Sequence, residues 1–255
     1  MLPTKIGTDS DGYIINPTSK TYIQDSFRPV VQSFTEMVQE LLKNKLHSVY
    51  LYGSIGRGEA KVGSSDLDLT VIVYSDLNSS EKELIMSRTE SLLAETQYII
   101  TKVDYDIGFL EQVVALENKY EWGFWLKHMC TCLIGIDLSQ QLPRMKPNEQ
   151  VSLALNGDFR GVMIRYKKEL LTTPDISSLR KRTMIKRIIR GLYLTINVQD
   201  KSWSTKNLEN VEILKRYFPD ETLFCELETL FHSNGQCSNQ ILLSGLDRSL
   251  KWLEC

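Results

Sequence analysis

The chain has 255 residues, 42% of them hydrophobic, and a formal net charge of −2. That is enough apolar material for two small domains or one large one, and the charge excludes a general pull toward nucleic acid or an anionic membrane. It is unevenly divided: residues 1–110 hold 10 Lys and Arg against 15 Asp and Glu, net −5, and residues 111–255 hold 20 against 17, net +3.

Residues 1–20 read as an irregular lead-in in which Tyr13, Ile14 and Ile15 lay at most one short strand. Asp25 or Ser26 can cap a helix with Pro29 in its first turn, running to about Lys45. Val30, Val31, Phe34, Met37, Val38, Leu41 and Leu42 recur at three- and four-residue spacing and make its apolar face. Val49 and Leu51 mark a strand ended by Gly53, and Val71, Ile72 and Val73 mark a second. After a turn over 76–80, Ser79 or Ser80 caps a helix of about 81–96 with Leu84, Ile85, Leu92 and Leu93 inward. Residues 98–109 form a strand. A helix around Trp125 then feeds a last short strand, 132–136. Pro143 and Pro147 lie in a linker, and beyond it helices are predicted over 149–171, 177–198, 206–217, 220–232 and 238–253.

Chemistry concentrates in SVYLYGSIGRGEAKVGSSDLDLTVIV, residues 48–73. Glycine at 53 allows a sharp turn and a close ligand approach. Ser54 adds a hydroxyl at a helix start, where free N–H groups favour phosphate. Asp66 and Asp68 are two apart on a strand, so both carboxylates point to one face. Two carboxylates beside a phosphate cradle are a place to hold Mg²⁺ on a nucleotide. The plain alternative is a surface loop whose two acids are merely solvated.

Gly53-Ser54, then Ser65-Asp66-Leu67-Asp68, then an acid on a neighbouring strand within Val103-Asp104-Tyr105-Asp106-Ile107, resembles the signature of the polymerase-beta-like nucleotidyltransferases. The resemblance implies a small α/β N-terminal domain with a mixed sheet over residues 1–140, followed by an all-α helical bundle domain over 149–255. Gly135-Ile136-Asp137-Leu138 is similar to the end of the catalytic core in small-molecule members. It implies AMP transfer from Mg-ATP, with Asp66, Asp68 and a third acid as metal ligands and catalytic residues. Asp106 is preferred to Asp104 for the third acid because Asp106-Ile107-Gly108-Phe109-Leu110-Glu111 resembles the run around that carboxylate in aminoglycoside nucleotidyltransferases. Gly53 and Ser54 are assigned to the terminal phosphates. Ser65 is assigned to the phosphates or to orienting Asp66, and Arg57, one turn beyond Ser54, to a phosphate or to solvent. Trp203-Ser204-Thr205-Lys206, with Arg190 and Tyr193 before it, resembles the C-terminal domain of streptomycin and spectinomycin adenylyltransferases, which carries an ATP contact to Lys206.

The acceptor implied is a hydroxyl of an aminoglycoside-like small molecule. The alternatives are a protein or RNA, as in toxin–antitoxin nucleotidyltransferases, or a non-catalytic nucleotide-binding module. Arg180, Lys181, Arg182, Lys186, Arg187 and Arg190 form a basic run that suits either a solvated helix face or a phosphate-bearing partner. The antibiotic-binding segment of the streptomycin enzymes has no match between Phe109 and Trp125. The five cysteines, Cys130, Cys132, Cys225, Cys237 and Cys255, are odd in number and irregularly spaced, which argues against a disulfide framework. With only His47, His128 and His232 beside them, they give no zinc set. The N-terminus carries no apolar signal region, and no run reaches the roughly 18 apolar residues of a membrane span. The expectation is a soluble cytoplasmic enzyme with no membrane contact.

Overall fold

The computed structural model of the protein describes residues 2–253, so Cys255 lies outside the described residues. The chain divides into two units: Ile15–Met145, and residues from 146 onward together with those up to Ile14.

In the first unit, α1 spans Arg28–Leu42, β1 Leu46–Leu51, α2 Gly53–Gly56, β2 Ser65–Val73, α3 Ser79–Thr96 and β3 Ile100–Phe109. Two short helices, α4 over Leu110–Val114 and α5 over Phe124–His128, then lead to β4, Thr131–Gly135. The strands lie in the order β3-β2-β1-β4. β1 is antiparallel to both its neighbours, and β2 is parallel to β3. The parallel pair requires a crossover, which α3 supplies, and the sheet is mixed, as expected. Val49, Leu51, Leu67, Leu69 and Val71 point to one face and form the core with Val31, Phe34 and Val38 of α1 and Ile85 of α3.

Three local expectations are corrected. The N-cap of α1 is Phe27, with Pro29 in the first turn. Asp25 instead pairs with Arg28 at 3.0 Å. The N-cap of α3 is Asn78, one residue before the predicted pair of serines; its side chain accepts from the Glu81 N–H while Glu81 reaches back to the Asn78 N–H. That reciprocal box satisfies two donors where a serine alone satisfies one. Leu84 is half exposed, because the inward stripe of α3 runs through Ile85 and Thr89.

The second unit is helical: α6 Glu149–Asn156, α7 Phe159–Thr172, α8 Ser178–Tyr193, α9 Asn197–Asp200, α10 Asn207–Tyr217, α11 Leu223–His232 and α12 Asn239–Trp252. The single helix predicted over 149–171 is two. The break falls at Gly157-Asp158, a poor helix former followed by an acid whose carboxylate accepts from Arg165 and Arg187 at 3.4 and 3.3 Å. The helix predicted over 177–198 ends at Tyr193, whose hydroxyl accepts from the Ser204 N–H and contacts the Ser202 hydroxyl.

Residues 2–14 also depart from expectation, which placed them with the sheet. They pack with the helical unit. The Trp203 N–H donates to the Ile6 carbonyl at 2.7 Å. Thr4 gives its N–H (2.8 Å) and its hydroxyl to the two oxygens of the fully buried Asp200. An irregular segment has no periodicity from which a partner can be read. Among the described residues, no helix is long and apolar enough to cross a membrane, and Cys130, Cys132, Cys225 and Cys237 are free.

Candidate active site

Strand register builds the site. Pairing sets Thr70 between Tyr50 on β1 and Asp106 on β3, and Asp68 opposite Asp104. Alternation along the strands then puts Tyr50, Tyr52, Asp66, Asp68, Thr70, Ile72, Asp104, Asp106 and Gly108 on the face away from α1 and α3. One end of this face is covered. A β-carbon on Gly108 would lie 2.7 Å from Val113 and 2.8 Å from Trp122, so α4 and the Trp122 ring sit directly on the strand. Next along, the Trp125 indole donates to the Thr70 hydroxyl at 3.0 Å, and that hydroxyl meets the Cys130 thiol at 3.9 Å. The carboxylates lie beyond this cover and are partly or fully exposed.

The Gly53-Ser54 turn is pressed against Asp68. The Tyr52 N–H donates to the Asp68 carbonyl at 3.1 Å. Gly53 has φ +70°, and a β-carbon there would fall 1.8 Å from the Asp68 carboxylate. Only glycine meets both conditions, positive φ and no side chain.

Burial, then the neighbouring carboxylates Asp104 and Asp66, raise the Asp68 pKa to about 7; Arg57 opposes the shift and Asp106 adds to it. The acids are therefore a repelling row whose ionised form calls for a cation. Asp66 accepts from the Thr101 hydroxyl at 2.6 Å, and Asp104 is ion-paired with Lys102. Tyr52 packs edge-on to Trp125, ring centroids 4.8 Å apart. Burial, followed by the charge of Asp106 and a hydrogen bond to it, holds the Tyr52 proton well above the ordinary phenol range. Among the described residues, no three His, Cys, Asp or Glu side chains are arranged to hold a metal by themselves. The oxygen-only donor set still suits Mg²⁺, which keeps waters and is bound through one or two carboxylates together with substrate phosphates.

The structure thus brings Gly53, Ser54, Asp66, Asp68, Asp104 and Asp106 to one region of the sheet unit, with Arg57 close enough to act on Asp68. Arg57 also pairs with Glu59 at 2.9 Å. The Ser65 hydroxyl accepts from the Lys61 N–H at 2.8 Å and so braces the loop that delivers Asp66. Lys206 belongs to the helical unit, at the N-cap of α10, with Glu209 at 3.6 Å. In the basic run of α8, Arg180 is held by Glu169 at 2.9 and 2.7 Å, Lys181 donates to the Cys237 carbonyl at 2.8 Å and Arg187 pairs with Asp158. Much of that run is thus tied to its own unit. Sequence reasoning missed Tyr52 and Trp125 as neighbours of the acids. The alternation that placed Asp66 and Asp68 on one face, extended through Tyr50, would have placed Tyr52 there; the return of Trp125 onto Thr70 left no periodic signal.

Residues 36–119 match the family model "Polymerase beta, Nucleotidyltransferase". Among solved structures, spectinomycin adenyltransferase AAD(9) from Enterococcus faecialis, solved with ATP and spectinomycin, aligns with a TM-score of 0.56 at 15% identity, over 87% of this chain and 98% of that one. A toxin–antitoxin structure with AMP-PNP aligns over 53% of this chain and 93% of that one, at 17% identity and a TM-score of 0.28. The tri-AMPylated HEPN toxin of Shewanella oneidensis with its MNT antitoxin gives 54% and 92%, at 15% identity and a TM-score of 0.25. No curated protein sequence matches the chain. Residues 36–119 thus lie in a polymerase-beta-type nucleotidyltransferase domain, a helical part follows it, and in fold the chain resembles that spectinomycin adenyltransferase.

Proposed function

We propose that this protein transfers the adenylyl group of Mg-ATP to a hydroxyl of a small, aminoglycoside-like molecule. The observation that carries the reading is the row of Asp66, Asp68 and Asp106 on one sheet face, with Asp68 against the Gly53-Ser54 turn. Asp66 and Asp68 would hold the cation, and Asp106 would complete its shell. When bound, Mg²⁺ neutralises phosphate charge and supplies a Lewis acid. The chain's own groups do the rest. Gly53 and Ser54 receive the terminal phosphates, Arg57 offsets negative charge beside Asp68, and Ser65 keeps the loop before Asp66 in place. Asp106 takes the proton of the acceptor hydroxyl as its oxygen bonds to the α-phosphorus. The bond from that phosphorus to the bridging oxygen breaks, and pyrophosphate leaves with the electron pair.

The acceptor class is supported by the likeness in fold, along nearly the whole of its length, to an enzyme solved with ATP and spectinomycin. The pairing of Arg180 with Glu169 and of Arg187 with Asp158 gives no support to a protein or RNA acceptor. We place the reaction in the cytoplasm, where Mg-ATP is supplied. Labelled ATP offered with Mg²⁺ and a panel of aminoglycosides, tRNA and proteins tests the reading directly. Label is expected on a small molecule, and a host producing the protein should then tolerate that antibiotic. Asp66→Asn and Asp68→Asn should each abolish transfer while keeping the fold, because Asn preserves shape and removes the charge that holds a cation. Wild-type turnover in either purified variant would overturn the assignment.

A further inference from the structure

Two carboxylates on β3 face the same way, and they have different partners. Asp104 is ion-paired with Lys102 on its own strand. Asp106 is exposed at the sheet edge and has the Tyr52 phenol beside it. The phenol is itself fixed. Tyr52 directly precedes Gly53, its N–H is bonded to the Asp68 carbonyl at 3.1 Å, and its ring packs edge-on against Trp125 at 4.8 Å. Trp125 is anchored in turn by its 3.0 Å hydrogen bond to Thr70, the residue paired with Asp106 across the parallel strands. Tyr52, Trp125 and Thr70 thus make a chain of contacts alongside the third acid, with Thr70 its register partner on the neighbouring strand.

We propose that Tyr52 is a positioning residue for Asp106: its hydroxyl, held by the Trp125 ring, donates to one carboxylate oxygen and leaves the other for the reaction. A phenol has a single proton, so it can satisfy only one oxygen. A neutral donor also leaves the carboxylate its charge, whereas Asp104 must give up Lys102 before it can serve. An exposed carboxylate without such a partner samples several rotamers, and misplacement of a catalytic group by about 1 Å can cost 10²-fold. The inference rests on the nucleotidyl-transfer reading and identifies Asp106 as its third acid.

The test is a double-mutant cycle on the full chain with two readouts. Tyr52→Phe keeps the ring against Trp125 and removes only the hydroxyl. The first readout is Mn²⁺ affinity in the presence of a non-hydrolysable ATP analogue, followed by electron paramagnetic resonance. The second is single-turnover transfer at saturating Mg-ATP. Loss of an outer partner of a metal-binding side chain typically costs roughly 10–100-fold. Tyr52→Phe is expected to weaken Mn²⁺ binding and slow transfer on that scale, with the KM for ATP and the melting temperature unchanged. In an Asp106→Asn background, where transfer itself is lost, the effect on Mn²⁺ binding should vanish, and in an Asp104→Asn background the effects on Mn²⁺ binding and on any remaining transfer should persist. If Tyr52→Phe changes neither readout, or its effect vanishes with Asp104 instead, the role assigned to Tyr52 is wrong while nucleotidyl transfer stands. If the wild-type protein binds neither Mn²⁺ nor the analogue, the reading of the site falls and the role of Tyr52 falls with it.

Discussion

Asp68 is the residue on which the fold and the site make opposite demands. A carboxylate whose pKa stands at about 7 in the folded chain and near 3.8 when unfolded holds a proton between those values that the unfolded chain has released. The native state then binds more protons than the unfolded one, so stability falls as pH rises from about 4 to 7 and stays reduced above. The shift corresponds to about 4 kcal/mol at most, and solvent reaching a partly exposed group brings it to about 1–2 kcal/mol. Asp68→Asn is therefore expected to raise the melting temperature of the metal-free protein by several degrees at pH 8 and to make no difference near pH 4. Parallel pH profiles for the two proteins would mean that the charge is not strained. At this scale the acids were legible in the sequence because Asp-x-Asp on a strand has one geometric meaning. Ser65 was not, because its hydroxyl is bonded to Lys61 four residues back, and no pattern distinguishes that from a phosphate contact.

Among elements, the β1–α2 turn couples folding to chemistry. Gly53 closes the strand, starts the helix and lies against Asp68 with no room for a methyl group. Gly53→Ala must adopt a positive φ and displace the carboxylate. The expected loss is about 1–3 kcal/mol in urea denaturation, together with the loss of Mg-ATP binding by calorimetry. An alanine variant that binds Mg-ATP normally would show that the turn can relax away from Asp68. The order of helices and strands was readable from periodicity, since α1 and the strands alternate apolar and polar residues at spacings with a single solution. Their ends were not. Asn78 outcompetes two serines as a cap only because Glu81 answers it, and α6 stops at Gly157 because Asp158 finds arginines on α7 and α8. These are long-range facts that local spacing does not carry.

For the whole molecule, the candidate residues fall in both units, Lys206 in the helical one and the acids in the sheet. Lys206 is more than half exposed and its ion pair with Glu209 spans 3.6 Å, and an exposed pair of that kind contributes about 0–1 kcal/mol to stability. If it contacts ATP, as the resemblance to streptomycin and spectinomycin adenylyltransferases implies, Lys206→Ala raises the KM for ATP several-fold at an unchanged melting temperature. An unaltered ATP titration would remove it from the binding set. The attachment of residues up to Ile14 to the helical unit has a consequence for synthesis. Thr4 leaves the ribosome long before Asp200, 196 positions later, exists to receive it. The sheet unit is contiguous and can complete its fold while the chain is still growing. The helical unit cannot close until Asp200 and Trp203 have emerged, which makes its slowest contacts those of greatest sequence separation. A chain interrupted between residues 145 and 200 would therefore carry every acid of the site on a finished sheet, preceded by a leading segment with nothing yet made for it to bind.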